Sequence, residues 1–446
     1  MKRLKIIFKE KAIPFMFSRT AKNTYIVLFG NSLAMILAFF YTVLLVRVLT
    51  LSDFGYYSAL FSFLLLVVDI ADLGIGSSLA RFLPPLKKEY PKMLSFLKSA
   101  FIIQIIAVLI IVFFIFITAS FISNIIFHSF DKTIYIKIMC LGIFGSALSN
   151  FFIYALSAKE KFIRSSIVTL TIASTRFIFL LPLIYFSVVY LLSVVWAQVL
   201  SFIVSAVLAF YLVNTKFIFA KRIKGDIKNL LHFASFLGIA RSITTISGRL
   251  DVIMLMALTD SVRTGIYSTA SRVVSLYPLF TASFLTVVGP RISTLKDYKF
   301  VKKYLLKIIL GTLALIFSII IFIIIAKPFM LILFGVKSAE AIPVLMLLLI
   351  SMIFFTGSIP AVALALYYLK KPFILTINSF LQLVVVICGN FFFIPRFGKL
   401  GPAYSLIIAY GLSFFVTTAM SIYFFKKSKK VIKKDKFDTI TSIETL

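Results

Sequence analysis

The 446-residue sequence contains only two cysteines, two histidines, one tryptophan and 15 acidic residues. Each scarcity excludes something. Cys140 and Cys388 both stand inside apolar runs, which rules out a disulfide framework and any Cys-rich metal motif. With His128 and His232 the only histidines, a zinc or haem site has no ligand set, and no cofactor is expected. Charged residues make up 14% of the chain and hydrophobic ones 61%, whereas soluble domains are about a quarter charged. There is no GxSxG, Walker A, HExxH or soluble-loop DxD motif. No gap between apolar runs exceeds about twenty residues, too short for the extramembrane domain that a membrane glycosyltransferase or sugar polymerase usually needs. An enzyme is therefore not expected.

What is abundant is long apolar sequence. A spanning helix needs about 20 apolar residues. Twelve such runs are predicted: 25–47, 55–79, 97–121, 136–157, 165–186, 189–213, 233–258, 266–289, 305–326, 341–368, 373–394 and 401–425. The fold class is an all-α polytopic membrane protein. Net charge is +32, but the basic residues sit between the runs. With the N-terminus inside, the inner segments carry 35 Lys and Arg and the outer ones 8. This loop-by-loop alternation predicts both termini in the cytoplasm and a cell (inner) membrane location, and leaves no reason to invoke nucleic acid. The segment 1–24 is basic and amphipathic, suited to an anionic leaflet or to anchoring the topology. Residues 426–446 read as a basic cytoplasmic tail.

Near the start of the second run stands RVLTLSDFGYYSAL, residues 47–60. Part of it returns in ALTDSVRTGIYSTA, residues 257–270. With Gly55 aligned to Gly265, Tyr57 falls on Tyr267 and Ser58 on Ser268. Six spans separate the copies, so the halves are expected to be parallel repeats. They are an N-lobe at 25–213 and a C-lobe at 233–425, joined by a basic linker at 214–232.

Seven charged residues fall inside predicted spans away from their ends: Asp69, Asp72, Arg176, Arg241, Arg249, Asp251 and Arg272. Each costs roughly 2.5–3.5 kcal/mol at a helix centre, so each should face a wet cavity or a partner. Arg241, Thr245 and Arg249 follow i, i+4, i+8 spacing and would form one stripe on a continuous helix. Asp251 lies about 200° round from Arg249 and should meet another helix. All four intramembrane cations are arginine, whose rigid donor fork suits phosphate. Arg249 and Arg272, with Arg241 and Arg176, are the candidate anion-binding residues. Asp69, Asp72, Asp251, Arg47 and Asp53 are candidates for structural ion pairs. Asp69 or Asp251 could instead hold a coupling Na⁺ or H⁺. The scattered Asn31, Gln104, Asn150, Gln198, Asn378, Gln382 and Asn390 fit helix–helix hydrogen bonding. Pro182, Pro360 and Gly248 mark possible bends.

LLVRVLTLSDFGYYSAL and DIADLGIGSSLARFLP resemble the opening hairpin of the Wzx-type polysaccharide exporters. These are oligosaccharide-lipid flippases of the multidrug/oligosaccharidyl-lipid/polysaccharide (MOP) superfamily. RLDVIMLMAL, GIYSTASRV, VVGPRIS and IPRFGKLGPAYS continue the resemblance over nearly the whole chain. Arg47, Asp53, Gly55, Tyr57, Asp72 and Gly74 match the first-half pattern; Asp251, Gly265, Tyr267, Ala270 and Arg272 match the second. The resemblance implies two six-helix lobes around a cavity that opens alternately to each side. It implies transport of a polyprenyl-pyrophosphate-linked oligosaccharide, an O-antigen, capsule, exopolysaccharide or glycan precursor, to the outer leaflet. The implied partners are that lipid-linked substrate and membrane lipids, with a polysaccharide polymerase or glycosyltransferases and a coupling cation as further candidates. Lipid II flippases usually have fourteen helices and a charged first helix; cation-coupled drug exporters have twelve but rely on acidic pockets. Both are weaker matches.

Overall fold

A computed structural model describes residues 19–221, 243, 245–295 and 297–444, with side chains between Tyr25 and Lys427 except that of Lys299. The described residues are helical, and none forms a strand. In lipid a backbone must satisfy its own polar groups, and apolar runs of this length can do so only as helices. Ten segments are long and apolar enough to cross a membrane. One of them, Phe373–Lys427, contains two helices, and the run expected at 233–258 is described mainly from 245 onward. The chain divides into two compact units, Met1–Thr245 and Ile246–Leu446. The linker expected at 214–232 lies partly among residues 222–242, outside the described residues.

The first unit contains α1 (Arg19–Val48), α2 (Leu51–Ala71), the short α3 (Ile75–Phe82), α4 (Tyr90–Ile117), α5 (Ala119–Phe127), α6 (Thr133–Ala158), α7 (Phe162–Tyr185) and α8 (Leu191–Val213). Several helices begin earlier than the apolar runs: α2 at Leu51 and not 55, α4 at Tyr90 and not 97. Hydropathy marks hydrocarbon depth, whereas backbone hydrogen bonding continues into the interface. The predicted second span is broken. Leu73 and Gly74 turn with positive φ (48° and 76°), and α3 sets off afresh. The core at this end gathers Ile75, Leu79, Phe96, Phe151, Phe152 and Phe217. Phe101 lies 5.3 Å from both the Phe151 and Phe217 rings. Deeper in the unit, the buried Gln104 donates from Nε2 to the Ala71 carbonyl at 2.9 Å, an interhelical bond of the kind its sequence position suggested.

The second unit contains α9 (Leu250–Leu258), α10 (Ser261–Val274), α11 (Tyr277–Ser293), α12 (Tyr298–Phe334), α13 (Ile342–Gly357), α14 (Ile359–Ala363), α15 (Phe373–Phe397) and α16 (Gly401–Glu444). The predicted eighth span is interrupted at Ser275–Leu276, where α10 gives way to α11. Pro360 opens α14, which runs into a π-helical turn at Leu364–Tyr368. Pro182 sits inside α7.

The repeat seen in the sequence is also a repeat of helix starts. Thr50 caps α2, its Oγ1 accepting from the Asp53 N–H at 3.0 Å. Asp260 caps α10, its Oδ1 accepting from the Arg263 N–H at 2.8 Å. Each cap stands five residues before the shared glycine. The side-chain oxygen satisfies a donor that the first turn leaves open.

Candidate functional site

Asp53 and Asp72 do local structural work. Asp53 Oδ2 also accepts from the Thr50 hydroxyl at 2.8 Å, which closes the cap of α2. Asp72 ends α2 and starts α3: its carbonyl accepts from the Ile75 N–H at 2.8 Å and its Oδ1 from the Gly76 N–H at 3.3 Å. Arg47 is exposed in the last turn of α1, and Asp69 is half-buried in α2. Arg241 lies outside the described residues.

Inside the first unit, Arg176 on α7 is half-buried. Its guanidinium carbon is 5.3 Å from the Phe61 ring centre on α2 and 5.2 Å from that of Phe202 on α8. The two ring faces supply the negative side of their quadrupoles to the cation. Tyr41 on α1 and Tyr57 on α2 lie close enough to act on it electrostatically. Tyr57, the tyrosine of the first repeat, donates its buried hydroxyl to Gln198 Oε1 at 2.9 Å. Arg176 Nε and Gln198 Nε2 are buried donors with no hydrogen-bond partner among the described residues. No described carboxylate pairs with Arg176. Two cation–π contacts give roughly 2 kcal/mol each at best, against a penalty of several kcal/mol for burying a charge. The cluster is therefore donor-rich and suited to an anionic oxygen.

The second unit builds different chemistry on the same position. Tyr267, the tyrosine of the second repeat, is fully buried and donates its hydroxyl to Asp251 Oδ2 at 2.5 Å. Asp251 Oδ1 accepts from the Val252 N–H at 2.8 Å. Asp251 thus meets α10 through Tyr267. Tyr410 on α16 and Arg249 both lie within electrostatic reach of it. The buried Asn390 donates to the Met254 sulfur at 3.7 Å.

Arg249 does not sit on a continuous helical stripe with Thr245. The chain turns at Gly248–Arg249, and Arg249 (φ −121°, ψ −22°) stands just before α9. The i+4 register therefore fails there, and the expectation of one unbroken stripe is corrected. Gly248 explains it, since a glycine within a helix weakens it by about 1 kcal/mol. Arg249 and Arg272, the latter in the last turn of α10, are both half-buried. Among the described residues, no three His, Cys, Asp or Glu side chains come together as a metal site.

Single-residue reasoning did not anticipate that each repeat tyrosine would be the hydrogen-bond donor at the centre of its unit's polar cluster. The recurrence of the tyrosine was the available signal. The aromatic walls around Arg176 had none, because Phe61 and Phe202 are two among 51 phenylalanines.

The profile of the family described as Polysaccharide biosynthesis protein matches residues 20–296. No curated protein sequence matches the chain. Among solved structures, an inward-facing multidrug resistance MATE family transporter of the MOP superfamily aligns with TM-score 0.75 and 12% identity, covering 91% of this chain and 99% of that one. The lipid II flippase MurJ, in an inward closed conformation, aligns with TM-score 0.69 and 18% identity over 90% of this chain and 89% of its own. A MOP superfamily transporter from Pyrococcus furiosus Vc1 (DSM3638), described as having a binding pocket of reverse polarity, aligns with TM-score 0.63 and 14% identity over 92% and 96%. At these identities the likeness is one of fold.

Proposed function

Because the chain belongs to the polysaccharide biosynthesis protein family and has the fold of MOP superfamily transporters, we propose that it is a flippase. It moves a polyprenyl-pyrophosphate-linked oligosaccharide from the cytoplasmic to the outer leaflet by alternating access. The observation that carries the reading is an arginine within a predicted span: Arg176 is held between two aromatic rings without a carboxylate partner among the described residues. Arg249 and Arg272 hold the diphosphate or acidic sugars through bidentate contacts, supported by Arg241 and Arg176. Lysine would present a more strongly hydrated point charge and no fork.

The test uses proteoliposomes with a fluorescent lipid-pyrophosphate oligosaccharide in one leaflet. Arg249→Ala should abolish its arrival in the other while expression and melting temperature persist. Arg249→Lys should restore little. Undiminished transport in Arg249→Ala removes the assignment. A second reading, a cation-coupled drug exporter, is favoured by the buried Asp251–Tyr267 pair and by the likeness to the multidrug transporter. Ion-driven uptake of a cationic dye, with no lipid movement in the same vesicles, would put that reading first.

A further inference from the structure

The second unit has a groove of about 360 Å³ between α12, the Pro360 segment and α16. Leu305, Ile309 and Ile316 form one wall, Pro360 the floor, and Phe414 and Thr418 the other wall. No charged side chain lines it. Ile309 is 41% exposed and Leu313 53%, so the groove opens sideways toward lipid. From Leu305 to Ile316 the helix rises about 16 Å, half of a hydrocarbon core of about 30 Å. The groove is therefore one leaflet deep. A transmembrane helix would need twice that length and a channel about 10 Å wide.

The end of the groove near Leu305 is cationic. Lys302 stands three residues before Leu305, and Lys426 four residues after Ile422, another lining residue. Both continue the lining stripes of their helices. Val301 and Phe425, their immediate neighbours, pack with Leu364 in one cluster, which brings the two lysines to the same mouth. Both are exposed, and neither forms an ion pair with a described carboxylate. Lysine stems lie readily along apolar surface while the ammonium reaches the interface. We propose that this groove is a binding site for an anionic glycerophospholipid of the leaflet at that end. One acyl chain fills the groove and the phosphate bridges Lys302 and Lys426. A zwitterionic lipid would gain less from two cations that no described carboxylate pairs. The proposal stands independently of the flippase reading.

Native mass spectrometry of the full chain, titrated with a defined phosphatidylglycerol, tests it. The wild type should retain one such lipid, and the double variant K302Q/K426Q should bind it about thirtyfold more weakly. The double variant K303Q/K427Q removes the same charge one residue further on, about 100° round each helix, and should bind like wild type. Phosphatidylcholine should bind both weakly. All four lysines are exposed, so the variants should melt like the wild type. Equal binding by K302Q/K426Q and wild type, or equal loss in both double variants, overturns the site. Displacement of the phospholipid by an equal concentration of a polyprenyl phosphate overturns the choice of ligand.

Discussion

The two units share a frame and differ in charge. Each has a second helix that starts at a side-chain cap, carries Gly-x-Tyr-Ser in its opening turns, and buries the tyrosine. In the first unit that tyrosine meets a neutral amide beside a half-buried arginine; in the second it meets a carboxylate. A further pair of contacts repeats. A Cβ added to Gly76 would meet the Tyr154 ring at 2.5 Å, and one added to Gly289 would meet the Tyr367 ring at 2.5 Å. Both pairs are 213 residues apart in sequence, while the Gly55–Gly265 pair is 210 apart. Three residues separate the two registers, and the helix breaks at Leu73–Gly74 and Ser275–Leu276 lie between them. The two units thus share these packing contacts, while their polar centres differ.

The sharpest way to break this comparison is to remove the two hydroxyls. Tyr267→Phe leaves a buried carboxylate short of a donor and should cost about 1.5–3 kcal/mol of stability. Tyr57→Phe removes a neutral interhelical bond and should cost about 0.6 kcal/mol. Thermal unfolding in detergent would show the difference. Equal shifts in melting temperature would mean that the carboxylate is not the energetic centre of the second unit.

The glycines come next in size. Gly76→Ala presses on Tyr154 at Cγ, Cδ2 and Cε2, near the root of the ring. Gly289→Ala presses on Tyr367 at Cζ and the two Cε atoms, the far end of the ring. The far end yields with a small torsion, whereas the root requires movement of the helix. Gly76→Ala should therefore destabilise by about 1–3 kcal/mol, and Gly289→Ala by less. If Gly289→Ala melts lower than Gly76→Ala, the point of contact on the ring does not decide the cost.

Much of this was legible in the sequence, for identifiable reasons. Spans are read from hydropathy because the bilayer imposes a length and forbids unpaired backbone. The repeat was legible because its glycine and tyrosine are both constrained by packing. The helix breaks were harder: Gly74 takes a left-handed turn, but nothing local distinguishes it from the chain's other glycines. Partners were beyond reach. Tyr57 and Gln198 are 141 residues apart, and only the fold decides that they meet. The arginine stripe failed for a related reason, since i+4 spacing assumes a helix that Gly248 interrupts. Arg241 and the segment around it lie outside the described residues.

Arg176 separates stability from function in the first unit. Arg176→Met replaces a half-buried cation by an apolar side chain of similar length. Buried charges replaced in this way often leave stability unchanged or raise it. The melting temperature should hold or rise slightly, while movement of an anionic lipid-linked sugar falls. A large loss of stability would show that the two cation–π contacts hold the unit together, and would make Arg176 structural.

The smallest effect concerns a lysine at the end of the first unit. Lys159 follows α6 beside Glu160, whose carboxylate bonds Lys87 at 2.6 Å. Burial, with a contribution from the Lys161 charge, pushes the Lys159 amine down to about 8. In the unfolded chain it would titrate near 10.4. Between those values the folded protein binds fewer protons than the unfolded one, so this group's contribution to stability rises with pH from about 8 to about 10.4 and is unfavourable below that window. A neutral amine is also a nucleophile. Acetylation followed by peptide mass spectrometry should find Lys159 labelling half-maximally near pH 8. Half-maximal labelling only near pH 10.4 would mean that Lys159 is solvated in the membrane-embedded protein.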